Sequence, residues 1–346
     1  MFRCFAFLSI IAVLMTGPCC AQQTAGPSSA PTSAAANTGS LAPTVRIHQP
    51  EDWTKLRADR SILKPLLNGA PLGKMETSEY SRELVRLEWR HGDPIDVYII
   101  KPHGVNKPRV VLYLYSFPSD IDRFMDDGWC RRATKEGLAA VGFVSALTGD
   151  RFRNRPMREW FISELQESLG SSAHDVQLIL DYLGERDDLS AKKVGMFGQG
   201  SGGSIAILAA SADPRIEALD LLNPWGDWPD WLKASPVVPD EERARYLTPE
   251  FLQRVSMLDP VSLLPHLQDR AVRVEQIMDD PAMPPAARDK IAAAVSPDRL
   301  ARFKDAPAHR EVWKVTGLSG WIAAQFLTES QPGPSGPAID SKQPSR

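Results

Sequence analysis

Beyond its first twenty residues the chain contains a single cysteine, Cys130. No intramolecular disulfide can therefore hold the mature chain together, even in an oxidising compartment. Positive charge is not in excess either: 40 Lys and Arg stand against 43 Asp and Glu. That balance leaves no electrostatic footprint for nucleic acid. The six histidines (His48, His91, His103, His174, His266 and His309) are scattered. No pair of them has metal-ligand spacing with a carboxylate, so neither a metal nor another cofactor is expected. The apolar run at residues 5–15 is too short to span a bilayer, so no membrane span is expected, and there is no internal repeat.

What is present begins with that run. Arg3, the apolar stretch 5–15 and Cys19-Cys20-Ala21 read as a secretory signal cleaved after Ala21. The chain is thus expected to be exported, periplasmic or secreted; Pro18 disfavours a lipoprotein cut at Cys19 or Cys20. Residues 22–44, rich in Ala, Ser, Pro, Thr and Gly, read as a flexible linker, and 331–346 as a polar tail. The patterned sequence between them, 45–330, suffices for one domain with a cap insertion at about 223–268.

Strands and helices alternate through this region. Runs at 83–89 and 96–100 read as a leading antiparallel pair around His91-Gly92-Asp93. Further strands are expected at 109–114, 139–144, 193–198, 216–222, 272–277 and 311–315. Ser172-Ala173-His174-Asp175 resembles a capping box opening a helix that Gly184 closes, with His174 in its first turn. Other helices are expected at 205–210, 286–295 and 321–327, and Cys130 reads as a small core residue of a helical stretch. Such alternation predicts the α/β class: a mostly parallel central sheet flanked by helices.

The most informative segment is Val194-Gly195-Met196-Phe197-Gly198-Gln199-Gly200-Ser201-Gly202-Gly203. An apolar strand runs into a glycine-rich turn, and the turn opens a helix. From about 83 to 327 the chain resembles the α/β-hydrolase superfamily, especially esterases and serine peptidases of the dienelactone-hydrolase and prolyl-oligopeptidase type. The resemblance implies an elbow written G-x-S-x-G, with nucleophile, acid and histidine in that chain order. Gly198 and Gly202 take the flanking glycines, and the nucleophile position then holds Gly200, which has no side chain.

The other positions implied by the resemblance are altered too. Met278-Asp279-Asp280-Pro281 puts Asp280 at the acid position, although the same residues also read as a plain turn. With 311–315 as the last strand, the histidine position falls at Ser319, and His309 precedes that strand as a solvated loop residue. Where the family often has His-Gly after the strand 109–114, this chain has Tyr115-Ser116-Phe117-Pro118. The amides of Phe117 and Ser201 are the oxyanion-hole candidates. A shifted register makes Ser201 an alternative nucleophile, at the cost of bulky Gln199 in the turn; otherwise Ser201 begins the helix.

Tyr115, Ser116, Gln199, Trp225 and Trp228 are candidates to line a pocket for a small-molecule or peptide ligand, the tryptophans alternatively packing the cap. Asp150, Arg151, Arg153, Arg155 and Arg158 suit an anionic ligand or, more simply, a solvated loop with local ion pairs. The residues point to an exported protein with an esterase- or peptidase-like fold that lacks serine catalysis and binds a ligand or an unidentified partner protein. The alternative is an active serine hydrolase using Ser201 with Asp280 and an unusual base.

Overall fold

The computed structural model describes residues 51–116, 122–147, 151 and 162–328. The segments expected to be a signal (1–21), a linker (22–44) and a tail (331–346) lie outside these, as do His48, Phe117, Asp150, Arg153, Arg155 and Arg158.

Among the described residues nine strands form one sheet: β1 (Leu67–Glu76), β2 (Tyr80–Glu88), β3 (Ile95–Pro102), β4 (Arg109–Leu114), β5 (Ala139–Phe143), β6 (Ser190–Gln199), β7 (Ile216–Leu222), β8 (Ala271–Ile277) and β9 (Leu300–Phe303). Their order is β1-β2-β3-β5-β4-β6-β7-β8-β9. β1 to β3 are antiparallel, as is β3 to β5; the pairs from β5 through β9 are parallel. The central strands are unbroken apolar runs because helices cover both faces. In β5 every residue is buried, and in β4 every residue after Arg109.

In chain order the helices are α1 (Asp122–Met125), α2 (Asp127–Thr134), α3 (Leu165–Gly184), α4 (Ser201–Ala212), α5 (Trp228–Ala234), α6 (Asp240–Tyr246), α7 (Pro249–Ser256), α8 (Pro260–Leu263), α9 (Pro285–Ala293), α10 (Ala306–Thr316) and α11 (Gly320–Thr328). Side chains supply several N-caps: Asp126 accepts from Trp129 N, Thr248 from Phe251 N, and Asp305 from Ala308 N. α3, α4 and the tryptophans of the 223–268 stretch close one face of the sheet, while α2, α11 and Cys130 close the other. Among the described residues no helix is long and apolar enough to cross a membrane.

Two expectations need correction, and β1 adds a strand for which none was stated: it carries Asn68, Gly69, Pro71 and Gly73, which an edge strand tolerates because only one side is hydrogen-bonded. The stretch 311–315 is helical, not a strand; it lies in α10, started by the Asp305 cap and Pro307 in the first turn. The last strand is instead four-residue β9, too short and too exposed to register as a hydrophobic pattern. Finally, α3 begins at Leu165, so the apparent capping box sits inside it and His174 lies mid-helix. Ser172 bonds Ser168 O and accepts from Ala146 N, which satisfies its hydroxyl without a cap.

Candidate functional site

Gly200 stands alone between the end of β6 at Gln199 and the start of α4 at Ser201, with φ 54° and ψ −119°. Residues with a side chain adopt this backbone only under strain, whereas glycine does so freely. The turn is pinned on both sides: Gly200 N donates to Leu222 O (2.9 Å), and Gly200 O accepts from Trp225 N (3.1 Å) and Ser204 N (3.1 Å). A Cβ added to Gly200 would lie 2.7 Å from Ser116 Cβ and 3.1 Å from Trp225 Nε1, and closer still to Ser116 Oγ. The space above the apex is therefore filled from two directions, by the residue after β4 and by the loop after β7. Gly202 is glycine for a separate reason, since its backbone abuts that of Leu114.

The other candidates are placed as follows. Ser201 is the first residue of α4 and is 1% exposed. Gln199, last in β6, is half-buried, as is Ser116. Tyr115 is buried: its hydroxyl accepts from Trp129 Nε1 (2.7 Å), and the Arg123 guanidinium lies 4.1 Å over its ring. Trp225 and Trp228 are buried and pack against Trp231, with ring centroids 4.6 Å and 5.8 Å apart. Trp228 Nε1 donates to Leu258 O and Trp231 Nε1 to Ala282 O, so these indoles bind the 223–268 stretch to itself and to the loop after β8.

Asp280 lies in the loop after β8, where its carboxylate is engaged by neighbours. Asn223 Nδ2 donates to Oδ2 (2.6 Å) and Ala282 N to Oδ1 (2.9 Å). Asn223, not singled out from the sequence, follows β7 at φ 43°, a conformation asparagine tolerates better than most residues. Its Oδ1 accepts from Ile277 N and its own amide donates to Glu275 O, so it ties the ends of β7 and β8 together. An asparagine between a strand and a proline was the available signal.

The histidine position must be redrawn. Ser319 follows no strand; it is fully buried just before α11 and donates weakly to Ala133 O (3.4 Å). The histidine after the last strand is His309, in the first turn of α10. It is not a solvated loop residue: it is 4% exposed and held between Phe303 and Trp313. His309 Nε2 lies 2.7 Å from Glu275 Oε2, which also accepts from Trp313 Nε1 (3.2 Å). Arg273 pairs with Glu275 Oε1 (2.9 Å) and through two nitrogens with Asp220 (2.9 and 2.6 Å). Burial, reinforced by the Glu275 charge and only partly offset by Arg273, pushes the Asp220 carboxyl up to about 6. Arg273 and Glu275 of β8 and Asp220 of β7 thus form a buried ionic cluster with His309, against α10 and α11 on the sheet face opposite α4.

Arg151 also departs from expectation. Instead of standing in a solvated loop it is buried, paired with Asp93 through Nε and Nη2 (2.9 and 2.7 Å) and with Asp175 through Nη1 (2.7 Å). Among the described residues no group of three or more His, Cys, Asp or Glu side chains is arranged to hold a metal ion.

No family model matches this chain, and no curated protein matches it in sequence. Solved structures do resemble it in fold. An acetyl xylan esterase from Paenibacillus sp. R4 has a TM-score of 0.56 at 16% identity, over 73% of this chain and 88% of that one. Acetyl xylan esterase 1 from Thermoanaerobacterium sp. JW/SL YS485 has a TM-score of 0.50 at 15% identity, over 70% and 81%. The acylaminoacyl peptidase of Pyrococcus horikoshii has a TM-score of 0.50 at 14% identity, over 66% of this chain and 38% of its own. At such identities the likeness is one of fold.

Proposed function

We propose that this chain, whose fold is that of the α/β-hydrolases in the form shared by esterases and peptidases, is exported, does not catalyse serine hydrolysis, and acts by binding. The observation that carries the reading is the crowded apex at Gly200, where the volume of a nucleophile is taken up by Ser116 and Trp225. Two further observations support it. Asp280 spends its oxygens on Asn223 and a backbone amide, and His309 spends Nε2 on Glu275 across the sheet from α4. Loss of the serine or the histidine alone typically lowers turnover of such an enzyme by about a million-fold. What the fold still offers is a rigid sheet with a helical cap, which suits recognition. The proposed export rests on the Arg3 to Ala21 segment and its small-residue cleavage site.

A fluorophosphonate probe tests the reading directly. The mature protein is expected to remain unlabelled and to hydrolyse p-nitrophenyl acetate no faster than a Ser201→Ala, Ser116→Ala double variant. Labelling mapped to Ser201 or Ser116, abolished by the matching substitution, refutes it in favour of an active hydrolase.

A further inference from the structure

Before β1 enters the sheet, residues 51–65 run along α3, and one face of that helix grips them. Gly170 leaves room for Trp53, whose carbonyl oxygen would lie 2.5 Å from an added Cβ. His174 contacts Glu51 and Lys55, Gln177 accepts from Ala58 N (3.1 Å) and donates to Leu56 O (2.7 Å), and Asp181 accepts from Arg60 Nε (2.9 Å). Spacings of four, three and four residues place these positions on a single helical stripe. The segment is thus a strap fastened along its length.

The fastening at His174 carries a chemical condition. Its Nδ1 lies 2.6 Å from Glu51 Oε1 and its Nε2 lies 2.6 Å from the Lys55 carbonyl oxygen, with the ring 1% exposed. A backbone carbonyl can only accept. Glu51 is likewise an acceptor: although burial opposes its charge, hydrogen bonds from Arg90 and His174 hold its carboxyl down at about 2. A neutral imidazole has one N–H, whereas two acceptors require two, which only the imidazolium provides.

The charges around the ring come from every element packed against it. The strap contributes Glu51 and Lys55, whose ammonium turns outward to Asp52 (3.2 Å). The turn after β2 contributes Arg90, which binds Glu51 and Asp175, and Asp93, which binds Arg151. α3 contributes Asp175, also bound to Arg151. Among the described residues, the carboxylates of partly buried Glu51 and of buried Asp93 and Asp175 meet the guanidiniums of Arg90 and Arg151 beside His174.

We propose that His174 is a proton-operated latch: doubly protonated it fastens the strap to α3, and loss of one proton frees the strap around Lys55. The proton beside the ionised Glu51 is the one retained, so Nε2 gives up its proton. Two lone pairs then face each other where the hydrogen bond to Lys55 O had been. The strap comes undone as pH rises and the sheet behind it stays folded, because residues 51–65 pair with no strand.

Amide hydrogen exchange on the full mature chain tests this. Between about pH 5 and about pH 9 the protection factor of the strap, read at the Ala58 amide that Gln177 holds, should fall as pH rises, by at most about ten-fold per pH unit, while β6 amides keep theirs. His174→Gln, whose amide offers its two N–H groups from a single nitrogen and does not titrate, cannot donate to Glu51 and to Lys55 O from opposite ends, and should show low strap protection that does not vary with pH. A second measurement does not depend on that variant folding: nitrogen NMR of the His174 ring at about pH 6 should show two N–H groups. Strap protection independent of pH in the wild type, or a ring with a single N–H at that pH, overturns the proposal.

Discussion

Restoring the missing nucleophile by Gly200→Ser should damage the protein rather than revive it. The new Cβ falls 2.7 Å from Ser116 Cβ, nearer still to Ser116 Oγ, and 3.1 Å from Trp225 Nε1. Overpacking a filled site of this kind costs about 1–3 kcal/mol. Holding a residue with a side chain at φ 54° adds about 1–2 kcal/mol. The sum, about 2–5 kcal/mol, lowers the midpoint of thermal unfolding by roughly 4–20 °C in a domain of this size. Urea unfolding followed by tryptophan fluorescence, with Gly200→Ser, Ser116→Gly and the double variant, separates the two contributions. Ser116→Gly removes the steric share only, so the double variant should be about 1–3 kcal/mol more stable than the two single effects summed. Neither Gly200→Ser variant should take up a fluorophosphonate, because the histidine after the last strand is bound to Glu275. The reasoning fails if Gly200→Ser is within about 0.5 kcal/mol of wild type, or if the double-mutant cycle shows no coupling.

Three further outcomes follow from the buried charges and the N-terminus. Arg273→Met leaves Asp220 and Glu275 without their shared guanidinium, and calorimetry or urea unfolding should show a loss of about 3–5 kcal/mol. Asp220 releases its proton at a higher pH when folded, about 6, than when unfolded, 3.8. The folded state therefore binds more protons in that window, and this group's contribution to stability falls as pH rises through it. Asp220→Asn should flatten that part of the stability–pH curve, and an unchanged slope would show that Asp220 is not its source. If export proceeds as proposed, N-terminal sequencing of the protein secreted by its host should begin at Gln22; a chain retaining Met1 contradicts it.

The elbow and the α/β architecture were legible in the sequence because both are local. A buried parallel strand is a run of apolar residues, a glycine cluster marks a turn, and a helix shows its period within a dozen positions. The acid loop was legible as a position, since Asp280 does follow β8, but its engagement by Asn223 was not, because that contact joins residues 57 apart. The histidine position was misassigned for a definable reason. Residues 311–315, with Val312, Trp313 and Val315, are strand-like in composition. The short edge strand β9 carries little pattern of its own, so the last strand was sought in the wrong place and His309 was put on the wrong side of it.

The amino-acid sequence by itself therefore determined the fold class, the elbow and the absence of a side chain at its apex, since each is written in adjacent residues. Only the tertiary structure decided what fills the apex, where His309 points, and which charges are buried together. Those depend on side chains brought in from separate strands and loops: Ser116 and Trp225 over Gly200, Glu275 onto His309, Glu51 and Lys55 onto His174. A pair far apart in the chain leaves no periodicity to read, and whether it meets is set by the packing of the whole domain.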